Sequence, residues 1–278
     1  KYDTDYKRYY QDTAFSKMDI TKITEENVKV FIRTTVGRLN LCKSACKTLF
    51  GYTNNVFKSA MINHYISENP MQYLSPKFFY QYCTEKQKSK EKTLVLDKDM
   101  VLLCEQLQED YKNQPEYIPS YAVELAILTG MRVGEIAALT WDSISKDGIL
   151  INKSEKYNRK TNTYFIDATK NKKERLFPMC NEISNLLDKV KKAELQNGYI
   201  CEWVFANEDG RVHAPVISSC IKNKCRQLGI EERGIHALRK TFNSKIRNIG
   251  VAPTVAATLL GHSVEVNQKY YTFDVTSN

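Results

Sequence analysis

The feature that most constrains this chain is a run of nine residues, 84–92 (TEKQKSKEK), that contains no apolar side chain. A segment with nothing to bury cannot belong to a hydrophobic core, so it separates the 278 residues into two parts. An exposed helix end is the simpler alternative. The sequence predicts a first domain over residues 1–86, a basic linker over 87–93 and a second domain over 94–278.

The first domain is predicted to be all helical. Thr24 followed by Glu25 and Glu26 is typical of a helix start, because a hydroxyl caps free amides and acidic groups suit the positive end of the helix dipole. A second helix is predicted from about residue 43 to residue 66, before Asn69-Pro70 ends the region. No alternating strand pattern occurs before residue 90.

The second domain is predicted to be mostly helical with one small antiparallel sheet. Asp97 is expected to cap a helix whose apolar residues recur at helical spacing. The strand-like runs are 148–152, 163–168 and 175–179. Further helices are predicted at 120–129, 132–139, 182–196, 215–228, 236–249 and 253–260. The predicted fold class is therefore mainly α with a small antiparallel β-sheet, a helical domain followed by a mixed α+β domain.

The charge of the chain favours an anionic partner, with nucleic acid as the leading candidate. The formal net charge is +9, although a basic protein that is merely soluble has the same property. Residues 151–175 carry a net charge of +5 in under a tenth of the length. This segment fits either a hairpin that approaches a nucleic-acid backbone or a solvated hairpin, and the four lysines of residues 84–92 also suit a phosphate backbone.

The eight cysteines are predicted to be reduced thiols in a cytoplasmic protein. They form no CxxC pair, and the chain has only four histidines to complete a zinc site. No run of 18 apolar residues occurs, so we expect no membrane partner.

Two motifs place basic side chains where a phosphate could bind. His236 and Arg239 are three residues apart and share a helix face, beside an apolar stripe expected to face the core: Leu238, Phe242, Ile246 and Ile249. Arg132 begins a predicted helix just after Gly130 ends another, and an arginine fork suits phosphate oxygens. Taken singly, these motifs also fit a surface pair and a helix corner.

Three further candidates lie in the basic segment and near the C-terminal end. Lys170 lies between the second and third strand-like runs. His262 belongs to an LLGH turn, and Tyr271 follows it by nine residues. Taken singly, they also fit a solvated loop, a helix cap and one packing tyrosine among 17.

In order and spacing, these motifs resemble the tyrosine recombinase family. The stretch KSACKTLFGYTNNVFKSAMINHYISENPM looks most like the integrases of conjugative transposons. The family's boxes correspond here to TGMRVGEIAALTW with Arg132, to Lys170 followed by Glu174, Arg175 and Pro178, to His236 with Arg239, to LLGH with His262, and to Tyr271. The resemblance spans roughly residues 95–278 and, more loosely, the helical domain, which is similar to the family's core-DNA-binding domain.

The resemblance implies a role for each candidate. Arg132 and Arg239 would hold the scissile phosphate, and His262 would donate a hydrogen bond to it. His236 would be the general base and Lys170 the general acid. Tyr271 would be the nucleophile, favoured over Tyr270 by its distance from His262 and by the following Thr272.

The implied activity is that of a site-specific integrase that moves a mobile element through a 3′-phosphotyrosine intermediate. The implied partners are double-stranded DNA of the element ends and target site, a homo-tetramer on that DNA, and an excisionase or a host DNA-bending protein, all in the bacterial cytoplasm. No metal or other cofactor is implied. A topoisomerase of type IB and a non-catalytic DNA-binding regulator stay open as alternatives.

Overall fold

The structure, a computed structural model, describes residues 2–85, 93–169 and 174–271, without the side chains of residues 269–271. The chain forms two compact units, Lys1–Lys88 and Ser89–Asn278, each with a hydrophobic core of its own. Helices predominate and the strands pair in antiparallel ladders, so the predicted fold class is confirmed. No helix within the described ranges has the length and apolar character that a membrane crossing requires.

The first unit contains α1 (Tyr2–Tyr9), α2 (Glu25–Arg38) and α3 (Lys43–Ile62), with short 3₁₀ segments between and after them. Thr24 caps α2 as predicted: its Oγ1 accepts the Asn27 N–H at 3.3 Å, and the Asn27 side chain accepts the Thr24 N–H at 2.9 Å. The predicted end of α3 at residue 66 is wrong. His64 has a φ of 58°, and this left-handed residue ends the helix earlier.

The second unit is built around a buried helix. Its helices are α4 (Asp97–Asn113), α5 (Pro119–Thr129), α6 (Val133–Ile136), α7 (Asn181–Asn197), α8 (Ala214–Gln227), α9 (Ile235–Asn248), α10 (Pro253–Leu260) and α11 (Val264–Tyr271). Most side chains of α5 are buried on every side, and the helix packs against α4, α7, α8 and α9. The core therefore lies around α5, and α9 is one wall of it.

Three helix predictions for the second unit need correction. Asp97 does not cap α4, because Leu96 takes the cap position and Asp97 is the first helical residue. The helix predicted over 132–139 is only α6, because the chain turns away to pair with a later segment: the Val204 N–H donates to the Leu139 carbonyl at 3.0 Å. The sequence did not predict α11, a helix of only eight residues in which Val264 and Val266 are two residues apart rather than three or four.

The strands form three separate two-stranded ladders rather than one sheet. They are β1 (Gly148–Ile151), β2 (Lys153–Asn158), β3 (Thr163–Ala168), β4 (Arg175–Pro178), β5 (Ala206–Asn207) and β6 (Gly210–Arg211), paired β1–β4, β2–β3 and β5–β6. The sequence missed β2, β5 and β6. The strand β2 has no apolar alternation (KSEKYN), so tertiary contacts rather than local pattern determine it.

A buried carboxylate on β2 attaches the β2–β3 hairpin to the rest of the second unit. The Glu155 side chain accepts the Ala214 N–H at the start of α8 at 2.9 Å and the Arg211 Nε–H at 3.0 Å. Its Oε1 also lies 2.7 Å from His213 Nδ1. The most basic stretch of the chain is thus anchored to a helix of the core.

Candidate active site

A glycine turn between α5 and α6 places the first arginine. Gly130 has a φ of 61°, and a Cβ atom there would lie only 2.8 Å from the Phe242 ring, so a glycine is required. Arg132 follows as the residue that precedes α6, with 29% of its side chain exposed. The turn therefore carries the chain from the core to an accessible guanidinium.

The buried carboxylate of Glu135 holds two arginines. It is 1% exposed and accepts the Arg132 backbone N–H at 2.9 Å, Arg132 Nη1 at 2.8 Å and Arg175 Nη2 at 2.6 Å. Burial by itself would raise the pKa of Glu135, but the hydrogen bonds and charges of Arg175 and Arg132 keep that pKa below its ordinary value. Glu135 is therefore an anion that orients two cations.

The same two arginines donate hydrogen bonds to backbone carbonyls at the end of α10. Arg175 donates from Nε to the Leu259 carbonyl at 2.9 Å, and Arg132 donates from Nη2 to the Gly261 carbonyl at 3.2 Å. Gly261 has a φ of 63°, and a Cβ atom there would lie 3.0 Å from Arg175. The LLGH glycine is thus needed both for its backbone conformation and for the close approach of an arginine.

Arg239 lies beneath the site rather than at its surface. Its side chain is 1% exposed, whereas Ile249, which was expected to face the core as part of the apolar stripe, is 81% exposed. Arg239 Nη1 donates to the Gly130 carbonyl at 2.7 Å, and Nη2 donates to the Leu260 carbonyl. Arg239 therefore connects the turn before Arg132 to the turn before His262.

The imidazole of His262 is held in its neutral form. Arginine only donates hydrogen bonds, so His262 Nε2, 2.6 Å from Arg239 Nη2, must accept, and the ring proton lies on Nδ1. Desolvation lowers the pKa of His262 to about 3, and the charges of Arg239, Arg132 and Arg175 act in the same direction. His262 is therefore uncharged near neutral pH.

His236 is the second residue of α9, on the same helix as Arg239. Although the residue keeps an exposed surface, desolvation of the ring is the largest cause of its lowered pKa, followed by the charges of Lys240, Arg239 and Arg132. The neutral ring predominates near neutral pH, and it is this form that can accept a proton.

A cavity of about 450 Å³ opens beside these groups. Arg132, Arg175 and His262 line it, and so do Thr169 and Glu174. Lys170 lies outside the described residues, but Thr169 and Glu174 are the described residues nearest to it on either side. The described residues that flank Lys170 in the chain therefore both lie at the wall of this cavity.

Tyr271 is the last residue of α11, and its side chain lies outside the described part of the chain. The helix α11 packs against α10 and α9 of the same unit. The structure thus brings Arg132, His236, Arg239 and His262 together and places the helix of Tyr271 against the helix that carries two of them. Within the described ranges, no group of three or more His, Cys, Asp or Glu side chains could hold a metal ion.

We expect acid to destabilise the second unit through His262. The pKa of His262 is about 3 in the folded state and 6.5 as an ordinary value, so the folded state binds fewer protons between these two values. The free energy of unfolding is therefore highest above pH 6.5, and it falls as the pH drops from 6.5 toward the folded-state pKa of about 3. Urea denaturation should show that the free energy of unfolding falls less between about pH 7.5 and about pH 5 for His262→Asn than for the wild type. Equal losses would contradict this assignment.

Comparison with known proteins gives the family. The model of the phage integrase family matches residues 95–276. A curated relative from Caldanaerobacter subterraneus subsp. tengcongensis, described as tyrosine recombinase XerC-like, is 24% identical over 298 residues, which cover 98% of this chain and 73% of the relative.

Solved structures share the fold. The Tn1549 transposon integrase in complex with transposon right end DNA superposes with a TM-score of 0.72 at 17% identity, over 99% of this chain and 95% of that one. A lambda integrase dimer bound to a COC′ core site gives a TM-score of 0.60 at 16% identity, over 93% of this chain and 67% of that one. Since the family model matches well over half of the residues, the chain belongs to the phage integrase family and is a tyrosine-type site-specific DNA recombinase.

Proposed function

We propose that the protein integrates and excises a mobile element by cutting and rejoining DNA strands through a 3′-phosphotyrosine intermediate, with Tyr271 as the nucleophile. One observation carries the proposal: Arg132, Arg239 and His262 are drawn together at the ends of α5 and α10, beside an open cavity. Arginines gathered at one site suit a phosphodiester in its pentavalent transition state.

The two arginines would stabilise this state in different ways. Arg132 is partly exposed at the cavity wall and is oriented by Glu135, so it can donate directly to a non-bridging oxygen. Arg239 is buried, so its positive charge would act on the phosphate from within the protein. A phosphate oxygen that replaces the Arg239–His262 hydrogen bond would accept from Arg239 Nη2, and also from His262 once the ring proton is on Nε2.

The proton transfers follow from the remaining groups. A phenol has a pKa of about 10, so Tyr271 must lose its proton to a base, and the neutral ring of His236 can accept it. The phenolate oxygen then forms a bond to phosphorus while the bond from phosphorus to the 5′ oxygen breaks. Lys170 protonates that oxygen, and the product is a 3′-phosphotyrosine with a free 5′-hydroxyl. A 5′-hydroxyl from another duplex reverses these steps.

The proposed partner is double-stranded DNA, namely the ends of the element and its target site. Residues 1–86 would act as the core-binding domain and residues 94–278 as the catalytic domain, joined by the basic residues 87–93. Exchange between two duplexes needs four strand cleavages, so we propose a homo-tetramer on DNA. The lambda integrase, which shares the fold, has been solved as a tetramer bound to a Holliday junction, and this supports the proposed assembly. An excisionase or a host DNA-bending protein would set the direction of the reaction.

The proposed function can be tested although the DNA target sequence is not known in advance. A library of nicked duplexes with randomised sequence traps the enzyme covalently, because the short strand beyond the nick diffuses away after cleavage. Sequencing the captured DNA gives the cleaved site, which is then placed on two plasmids. We expect captured adducts and recombination between these plasmids.

The outcomes separate the proposal from its alternatives. Relaxation of supercoiled plasmid without any recombination would indicate a topoisomerase of type IB instead. DNA binding with no captured adduct would indicate a non-catalytic regulator. Either result would overturn the proposed function.

A further inference from the structure

The helix that carries Tyr271 is docked on its own unit by a polar contact. Among the described side chains of α11, those of residues 264–268, only Asn267 is buried, with 0% exposure. Val264 and Val266 keep 36% and 39% of their surface exposed. In this described part, apolar burial therefore contributes little to holding α11 in place.

The partner of Asn267 lies on α9. Asn267 Nδ2 donates to Asn243 Oδ1 at 2.7 Å, and Asn243 is also 0% exposed. An apolar contact tolerates small slides between two helices, whereas an amide hydrogen bond weakens steeply with distance and angle. A shift of one residue would move Asn267 by about 1.5 Å along α11 and about 100° around it, which breaks the bond. The pair therefore fixes the register of α11 on α9.

The position of the pair connects this register to the proposed chemistry. Asn243 follows Arg239 by four residues, one turn along α9, and Asn267 precedes Tyr271 by four residues, one turn along α11. The hydrogen bond thus lies one turn from the buried arginine on one helix and one turn from the tyrosine on the other. A change in this bond would move the backbone of Tyr271 relative to Arg239.

We infer that Asn243 and Asn267 are positioning residues whose hydrogen bond sets the place of the nucleophile relative to the phosphate-binding arginine. The inference rests on the proposed function of Tyr271. Neither amide is at the surface, so their loss changes the rate of cleavage at saturating DNA and leaves the affinity for DNA unchanged. A misplaced nucleophile lowers the rate through poor alignment with phosphorus.

The test measures single-turnover cleavage, DNA affinity and melting temperature on the nicked substrate identified above. Asn243→Leu and Asn267→Leu each remove one side of the hydrogen bond between the two amides and keep the other amide buried, and we expect cleavage to slow by about tenfold or more, with a lower melting temperature. In the double variant, Asn243→Leu with Asn267→Leu, apolar groups replace both amides together, so we expect the melting temperature to rise above that of either single variant. Cleavage stays slow because the directional contact is still missing.

Matched controls are available on the exposed sides of the same two helices. Asn248→Leu on α9 and Gln268→Leu on α11 replace exposed amides and should cleave at the wild-type rate. Recovery of cleavage together with melting temperature in the double variant would reduce the pair to a packing role, and wild-type rates in the single variants would also overturn the inference. Failure of the wild type to form any adduct would instead contradict the proposed function, and this result is distinct from the two outcomes for the variants.

Discussion

Arg239→Lys is expected to slow DNA cleavage by about 10²–10³-fold while DNA binding is retained. The guanidinium reaches three acceptors in different directions: the carbonyls of Gly130 and Leu260 and the ring of His262. A lysine keeps the charge, but its single nitrogen cannot span these acceptors or present a planar fork to a phosphate. The turns at the ends of α5 and α10 would then lose their common donor.

Single-turnover cleavage and DNA affinity of this variant measure the effect. Arg226→Lys is the matched control, because its side chain is 60% exposed on α8 and it should cleave like the wild type. Cleavage by Arg239→Lys within about twofold of the wild type would show that the fork geometry has no role, contrary to our account.

Replacing Glu135 with alanine is expected to lower the free energy of unfolding by about 3–5 kcal/mol and to abolish detectable cleavage. The change leaves Arg175, whose side chain is 7% exposed, as a buried cation without its carboxylate. It also removes the group that orients Arg132 at the cavity wall. One substitution therefore damages both the stability of the second unit and the phosphate site.

Urea denaturation and cleavage assays at a temperature where the variant is folded separate the two effects. Glu109→Ala removes an ion pair on the surface of α4, where the carboxylate is 55% exposed, and should cost less than about 1 kcal/mol. If Glu135→Ala were no more destabilising than this control, Glu135 would not anchor the arginines.

Much of the fold could be predicted from local signals. Gly130 ends α5, Pro253 lies in the first turn of α10 and Thr24 caps α2, because each residue type has a conformational preference that neighbours do not override. The strand β2 and the helix α11 had no such signal. Their buried residues, Glu155 and Asn267, are polar and are determined by partners distant in sequence.

The site shows the same division between local and distant information. The order of the motifs indicated Arg132, His236, Arg239 and His262, and the structure brings these residues together. The three-residue spacing from Arg132 to Glu135 could have predicted their ion pair. Nothing in the sequence showed that Arg239 would be buried, since that depends on carbonyls 109 and 21 residues away. The catalytic roles of these four residues, of Lys170 and of Tyr271 stay predictions.

The central claim is that Tyr271 becomes joined to DNA. Trapping the wild type on the nicked substrate and digesting with trypsin gives a peptide that begins after Lys269 with Tyr270 and Tyr271, and fragmentation in a mass spectrometer distinguishes these two tyrosines. We expect the nucleotide on Tyr271, a trapped adduct from Tyr270→Phe and no adduct from Tyr271→Phe. A nucleotide on Tyr270, or an adduct formed by Tyr271→Phe, would contradict the account.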